Sequence, residues 1–143
     1  MLVKSKRKKV KSKAVRKKTI RLSLVVLACS RTVEKNISDD RMHLDVNGPV
    51  PVVPIMCSGR LSSAILLRAF ENGADGVLVA GCNPDECRFG FGARHGVATV
   101  IQTQKLLNLL GIEKERLRFS GSRELGEAYS SFKKQVAKLG KLK

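Results

Sequence analysis

Four cysteines, Cys29, Cys57, Cys82 and Cys87, carry most of the chemical potential of this 143-residue chain. Two of them flank a four-residue loop in GCNPDEC, directly after the apolar run GVLVA. Thiolates are soft ligands, and four of them complete either a tetrahedral zinc site or an iron–sulfur cluster. Zinc sites usually draw on paired short-spaced cysteines, and only Cys82 and Cys87 are close here. The four-residue spacing also occurs in plant-type ferredoxins, within a longer motif that this chain lacks. The chemistry of the side chains leaves zinc and iron–sulfur both open. Two blander readings stand beside them. Buried cysteines behave as small hydrophobes, and disulfides suit an oxidising compartment.

The elements around the cysteines decide whether they can meet. Residues 21–28 form a continuous apolar run, expected as a buried first strand. Residues 30–47 are polar and poorly periodic and predict a short helix plus loop. A second strand is expected over Val50–Met56, where Pro51 and Pro54 lack N–H donors and suit an irregular or edge position. Ser62 and Ser63 are cap candidates for the helix AILLRAFEN, which Asn72-Gly73 ends. GVLVA is the clearest strand. Thr99–Leu110 predicts a second long helix and Arg116–Phe119 a short fourth strand. Ser122 begins a last helix, with Leu125, Ala128, Tyr129, Phe132, Val136 and Leu139 at helical spacing.

Strands separated by helices predict an α/β fold with parallel pairing and right-handed crossovers. The expected architecture is a small three-layer sandwich around a parallel sheet of about four strands. Ligands of such sheets collect beyond the carboxyl ends of the strands. Cys29 ends the first strand, Cys57 the second and Cys82 the third; Cys87 lies in the loop beyond. Topology therefore brings all four to one edge.

Gly59 and Gly81, beside Cys57 and Cys82, allow close backbone approach, so that N–H groups can face anionic sulfur. Arg60 and Arg88 are near Cys57 and Cys87 in sequence and would offset a cluster's negative charge. Their bland reading is solvated surface. His43 and His95 are expected at the surface. Ser58 has no histidine or acid near it in sequence, so it makes no nucleophile. GFGARHG lacks the strand-then-helix setting of a dinucleotide fingerprint and is expected as a flexible loop.

The net charge of +16 is concentrated at one end. Residues 1–21 hold eleven Lys and Arg and no acid, against seventeen basic and twelve acidic side chains elsewhere. Residues 1–20 are read as a flexible basic arm and residues 21–143 as the domain proper. The arm suits solubility or docking on a partner. Aromatics are 4% of the chain, and the interleaved aromatics of single-strand binding are missing, so nucleic acid is not the expected partner. A basic stretch followed by LSLVVLAC has the outline of a lipoprotein signal with Cys29 as the modified residue. Its apolar core barely reaches the minimum of about seven residues, and the same residues make a good strand. No apolar run approaches the roughly 20 residues of a membrane span. The expectation is a cytoplasmic protein that is not integral to a membrane.

Three segments together, MCSGR, RAFENGADGVLVAGCNPDEC and LLNLLGIEKERLR, resemble the delta subunit family of methyl-viologen-reducing hydrogenase. The resemblance runs from Val52 to the C-terminus. It implies an iron–sulfur subunit with one 2Fe–2S cluster and no substrate site of its own. Such subunits relay single electrons between a hydrogenase or formate dehydrogenase module and a heterodisulfide reductase-like flavin subunit. Related subunits serve other oxidoreductase assemblies, including some linked to methylene-tetrahydrofolate reductase or benzoyl-CoA reductase. By this resemblance Cys57, Cys82 and Cys87 match the family's cysteines directly, and Cys29 matches the cysteine region after the first strand.

The departures are specific. The family usually has two cysteines separated by two residues after that strand, and ACSRTVEKN keeps only Cys29. Histidines often follow the two later cysteines; Asn83 and Arg88 stand there instead. The basic arm is outside the family pattern. The expected role is a non-catalytic electron-transfer subunit with its cluster on Cys29, Cys57, Cys82 and Cys87. The alternative is a zinc-stabilised binding module whose arm docks an acidic partner or nucleic acid.

Overall fold

Two unbroken aliphatic and β-branched runs make the centre of the fold. LVVLAC forms β1 (Leu24–Cys29) and GVLVA forms β4 (Gly76–Ala80), and every residue of β4 is buried. Strands covered on both faces read as continuous apolar runs rather than alternating ones. The computed structural model describes residues 21–38, 42–121 and 123–142. The basic arm over residues 1–20 and the expected helix start at Ser122 lie outside the described residues.

From β1 the chain passes through α1 (Ser30–Asn36) to a hairpin of β2 (His43–Asp45) and β3 (Pro49–Ile55). Next come α2 (Ser63–Glu71), β4, α3 (Gly92–Leu109), β5 (Leu117–Ser120) and α4 (Leu125–Leu139). The sheet order is β2-β3-β1-β4-β5. The expected four strands pair in parallel, Val26 opposite Val52 and Leu78, and Val77 opposite Leu117. A fifth, β2, joins antiparallel to β3, with Leu44 opposite Val50. That hairpin lies partly in the stretch expected as helix plus loop. Its turn uses Asn47 and Gly48 at positive φ, the conformation that Asn-Gly favours.

The prolines of β3 behave as their chemistry requires. Pro49, Pro51 and Pro54 are exposed, while Val50 and Val52 between them are buried. β2 is only three residues long, so Pro54, beyond Val52, lies where the outer side of β3 is a sheet edge and a missing N–H costs nothing.

Helices cover both faces. Val26, Ala28 and Leu78 meet Tyr129, Phe132 and Val136 of α4, with Val33 of α1 packed alongside. Leu27, Val77 and Val79 meet Leu66 and Phe70 of α2, and Val100 and Leu107 of α3. Each fully buried large apolar side chain contributes roughly 2–3 kcal/mol. Ser62 accepts the Ile65 N–H at 3.3 Å and caps α2, and Gly73 follows it at φ +99°, as the expected start and stop require.

Two boundaries move. α3 starts at Gly92, seven residues before the expected Thr99, so most of GFGARHG is helix and not a flexible loop. Its glycines are helix-weakening by propensity, and close packing explains them below. α4 starts at Leu125 rather than at the cap-like Ser122.

At the sheet edge opposite the cysteines, a buried charge ties the elements together. Arg116 donates to the carbonyls of Asp75 at 3.0 Å and Gly140 at 2.8 Å, and to Glu113 Oε2 at 2.7 Å. Asp75 in turn accepts N–H groups from Ser23 at 2.7 Å and Leu142 at 2.9 Å. β1, β4, β5 and the residues after α4 are thus joined at one knot. The Arg116 hydrogen bond holds the Glu113 carboxyl below its ordinary value. The pair is therefore intact above the usual glutamate range and is released as pH falls through the lowered value.

Arg116→Leu should lower unfolding free energy by about 3 kcal/mol, because buried carbonyls lose their donor. Urea unfolding followed by circular dichroism checks this. An unchanged midpoint would remove the knot from the stability account.

Candidate metal centre

The sheet order places a topological switch above β1. The chain leaves β1 toward β3 on one side and reaches β4 on the other, and ligands collect at such a crevice. Cys29 ends β1 at that point and is 2% exposed. α1 begins immediately after it. Ser30 donates its hydroxyl to the Met56 carbonyl at 3.0 Å, and Arg31 donates to the Glu86 carbonyl at 3.1 Å. The start of α1 is thereby fastened to the two other segments that carry cysteines.

Cys57 follows β3 and opens a single 3-10 turn, Ser58–Arg60; its sulfur accepts the Gly59 N–H at 3.4 Å. This turn lies against the first turns of α3. A Cβ on Gly59 would come within 2.8 Å of Gly92 Cα, and a Cβ on Gly96 within 2.8 Å of the Ser58 side chain. A Cβ on Gly92 would overlap Cys57 Sγ outright. At these three places only hydrogen fits, which outweighs the helix-propensity cost of Gly92 and Gly96.

β4 delivers Gly81 and then Cys82. Gly81 donates its N–H to Ser120 at 3.0 Å, and a Cβ there would overlap the Phe119 ring. The loop from Asn83 to Glu86 is held locally and at a distance. Asn83 Oδ1 accepts the Asp85 N–H at 3.1 Å, as in an Asx turn. Arg123, just before α4, pairs with the Glu86 carboxylate and holds it below the usual carboxylate range. Glu86 thereby anchors the loop.

The four sulfurs line one small hollow, and they fall into two pairs. Cys29 Sγ and Cys82 Sγ are 3.4 Å apart. Cys57 Sγ and Cys87 Sγ both lie against Gly92, where a Cβ would meet each of them. No three His, Cys, Asp or Glu side chains among the described residues close on one point as a single metal ion requires.

The two later cysteines differ electrostatically. Burial pushes the Cys82 thiol up to about 12, helped by its hydrogen bond to Cys29 and by the charges of Cys29 and Cys87, with Arg31 pulling the other way. Burial also opposes ionisation of Cys87. There the N–H groups of Ala93, Phe89 and Gly92 and the Cys57 thiol hydrogen-bond to the sulfur, and they win: the thiol lies below its ordinary value. Ala93 and Gly92 open an 18-residue helix, whose N-terminal donors favour an anion.

The surroundings differ in part from the sequence expectation. Arg88 lines the hollow but also pairs with Glu34 at 3.6 Å, with both side chains more than half exposed, so the pair contributes little stability. Arg60 is exposed beside an open concavity of about 430 Å³ that reaches Cys57. His95 is exposed and borders that concavity, while His43 sits in β2 opposite Pro51. Sequence reasoning passed over Arg31, the cation that acts on Cys82, and Thr32, whose hydroxyl lies 3.1 Å from Cys29 Sγ. Their signal was position, two and three residues after a cysteine at a strand end. It also passed over an apolar collar at the mouth: Met56, Phe89 and Phe91 are 63%, 54% and 81% exposed. Two of the chain's five phenylalanines face solvent beside the cysteines.

Comparison with known proteins gives a consistent picture. The family model for methyl-viologen-reducing hydrogenase, delta subunit, matches residues 24–140. The vhc iron–sulfur subunit of the F420-non-reducing hydrogenase of Methanococcus voltae is 40% identical over 68 residues, 48% of this chain and 47% of that protein. The iron–sulfur subunit of the F420-non-reducing hydrogenase of Archaeoglobus profundus is 39% identical over 99 residues, 66% of this chain and 72% of that one. A third relative belongs to the ferredoxin:CoB-CoM heterodisulfide reductase of Methanosarcina mazei. That reductase subunit is 32% identical over 117 residues, 78% of this chain but 14% of its own length. The chain thus spans about half of the first relative and a small part of the third.

With the protein reduced and metal-free, iodoacetamide near pH 7.5 should modify Cys87 well before Cys82, because the thiolate is the nucleophile. Peptide mass mapping over time reads the order. Raising the pH should bring Cys82 into reaction only under strongly alkaline conditions. Equal rates at neutral pH would show that the α3 donors do not favour the Cys87 thiolate.

Proposed function

The chain belongs to the methyl-viologen-reducing hydrogenase delta subunit family, and from that premise we propose that it is an electron-transfer subunit holding one 2Fe–2S cluster. The observation that carries this reading is the gathering of four thiols, from the ends of three parallel strands, in one hollow at one sheet edge. A binuclear cluster takes two thiolates on each iron. In this reading Cys29, Cys57, Cys82 and Cys87 would hold the cluster. The relatives named as iron–sulfur subunits support a cluster over a single tetrahedral zinc. The donor set fits such a cluster in number and in kind.

When bound, the cluster supplies one-electron chemistry at sulfur-ligated iron. The chain supplies position, charge and shielding. The switch-point crevice sets Cys29 deep in the sheet. The glycine contacts between the Ser58–Arg60 turn and α3 hold Cys57 and Cys87 side by side. The first N–H groups of α3 favour negative charge on Cys87, and Arg31 favours it on Cys82. Donors and cations around sulfur stabilise the reduced, more negative state.

The partners in this reading are a hydrogenase- or formate dehydrogenase-type module on one side and a heterodisulfide reductase-like flavin subunit on the other. Two of the relatives are named as hydrogenase iron–sulfur subunits, and a segment like this chain recurs inside a longer heterodisulfide reductase polypeptide. That recurrence supports a place beside the reductase module. The exposed collar of Met56, Phe89 and Phe91, with Arg60 and Arg94 exposed nearby, suits a redox partner with an apolar patch and an acidic rim. The eleven basic side chains of residues 1–21 would add attraction to the same acidic partner. Among the described residues no helix is long and apolar enough to cross a membrane.

Iron, zinc and acid-labile sulfide in anaerobically purified protein test the reading, together with electron paramagnetic resonance after reduction. The expected result is about two irons and two sulfides per chain, with a spin-half signal on reduction. Cys57→Ser, Cys82→Ser and Cys87→Ser should each remove the native visible spectrum, and Cys29→Ser should do the same. Zinc without sulfide would replace this reading with a zinc-stabilised binding module.

A further inference from the structure

Six polar or charged side chains are buried among the described residues, and five are accounted for by the fold. Asp75 and Arg116 make the knot at the far edge. Thr99 is buried within α3, and Thr103 beside it bonds to the Thr99 carbonyl at 2.7 Å and to Ser63 Oγ at 2.8 Å. Ser58 donates to the Gly92 carbonyl at 3.4 Å where its turn meets α3. The sixth, Thr32, is 6% exposed, touches Cys29 and shares a small hollow with Cys82.

Its hydroxyl has two neighbours. Thr32 Oγ1 lies 3.3 Å from the Gly81 carbonyl, at the end of β4, and 3.1 Å from Cys29 Sγ. A helical threonine often bonds back to the carbonyl four residues before it. This one instead reaches across the crevice to a strand 49 residues away in sequence. A hydroxyl has one proton to give and lone pairs to accept with. While Cys29 is a thiol, Thr32 donates to Gly81, and the Cys29 S–H can supply the proton of the 3.1 Å contact. When the sulfur is bound as a thiolate it has no proton to give. The same hydroxyl then turns on its Cβ–Oγ bond and donates to the sulfur. No heavy atom has to move.

We propose that Thr32 is a positioning residue for the redox centre: its hydroxyl fixes Cys29 in the crevice and donates a hydrogen bond to the bound Cys29 sulfur, raising the centre's reduction potential. The inference rests on the cluster reading above. A donor aimed at a ligand sulfur withdraws charge from it, and the withdrawal counts for more once the centre has gained an electron. The reduction adds one electron and makes or breaks no bond at Thr32.

The test compares Thr32→Val, which keeps the shape and deletes the hydroxyl, with Thr32→Ser, which keeps the hydroxyl. Iron and sulfide content are measured first. The midpoint potential then follows from an electron paramagnetic resonance titration with dithionite as reductant. Thr32→Val should weaken the reduction equilibrium by about tenfold, the scale of one hydrogen bond to a charged group. For one electron this is a shift of about 59 mV to more negative potential. Thr32→Ser should stay near the wild-type value. Loss of the cluster in Thr32→Val with retention in Thr32→Ser would also support the proposal, since the hydroxyl would then be needed to hold Cys29. An unchanged potential in Thr32→Val overturns it and leaves the cluster reading standing. So does loss of the cluster in both variants, which would assign the role to packing. A wild-type chain that takes up no iron and sulfide overturns both the proposal and the reading it rests on.

Discussion

Parallel pairing on both sides of β1 is the constraint on which the rest depends. Because β3 and β4 run in the same direction as β1, their carboxyl ends come out at one edge, and whatever follows them in sequence arrives together. The cysteines at positions 29, 57 and 82 need no special recognition of one another; three strand ends bring them within reach. The fourth, Cys87, arrives because its loop is short and is fastened at Glu86 from two directions, by Arg31 and by Arg123. Chemistry is thereby delegated to topology, and the side chains around the sulfurs are left to adjust charge and spacing.

The adjustment is made at very short range. Where the turn after Cys57 meets α3, the packing distance is set by glycine, and a methyl group at Gly59, Gly92 or Gly96 would hold the two elements apart. The same contact brings the first N–H groups of α3 onto Cys87. One packing decision thus does two things: it brings two sulfurs together at Gly92, and it supplies the dipole that favours the ionised state of Cys87. Cys82 has no such helix behind it. Its thiolate is disfavoured by burial, and Arg31 is its main compensation.

Much of this was legible in the sequence. The buried strands announce themselves as unbroken runs such as GVLVA, and once their order in a parallel sheet is granted, the meeting of the cysteines follows. The hairpin of β2 and β3 was harder to see, since β2 has three residues and its clearest sign is the dipeptide Asn47-Gly48. The start of α3 was obscured for a physical reason. Glycine argues against helix when only local propensity is counted, and here tertiary contact overrides it. Thr32 and Arg31 gave only the faint signal of lying just after a cysteine, because their importance lies in partners 49 and 55 residues away, Gly81 and Glu86. Buried Arg116 was equally hidden. A lone arginine ahead of a strand looks like surface until the carbonyls around it are known.

The knot at the far edge has a consequence for how the protein comes into being. α4 supplies Phe132 and Val136 to one face of the sheet, and Arg116 and Asp75 are completed only by residues 139–142. All four thiols lie before residue 88. A chain emerging from the ribosome therefore presents its full ligand set while one face of its sheet is still bare and its last fastening unmade. Every cysteine is thus in the emerging chain before α4 can cover its face of the sheet.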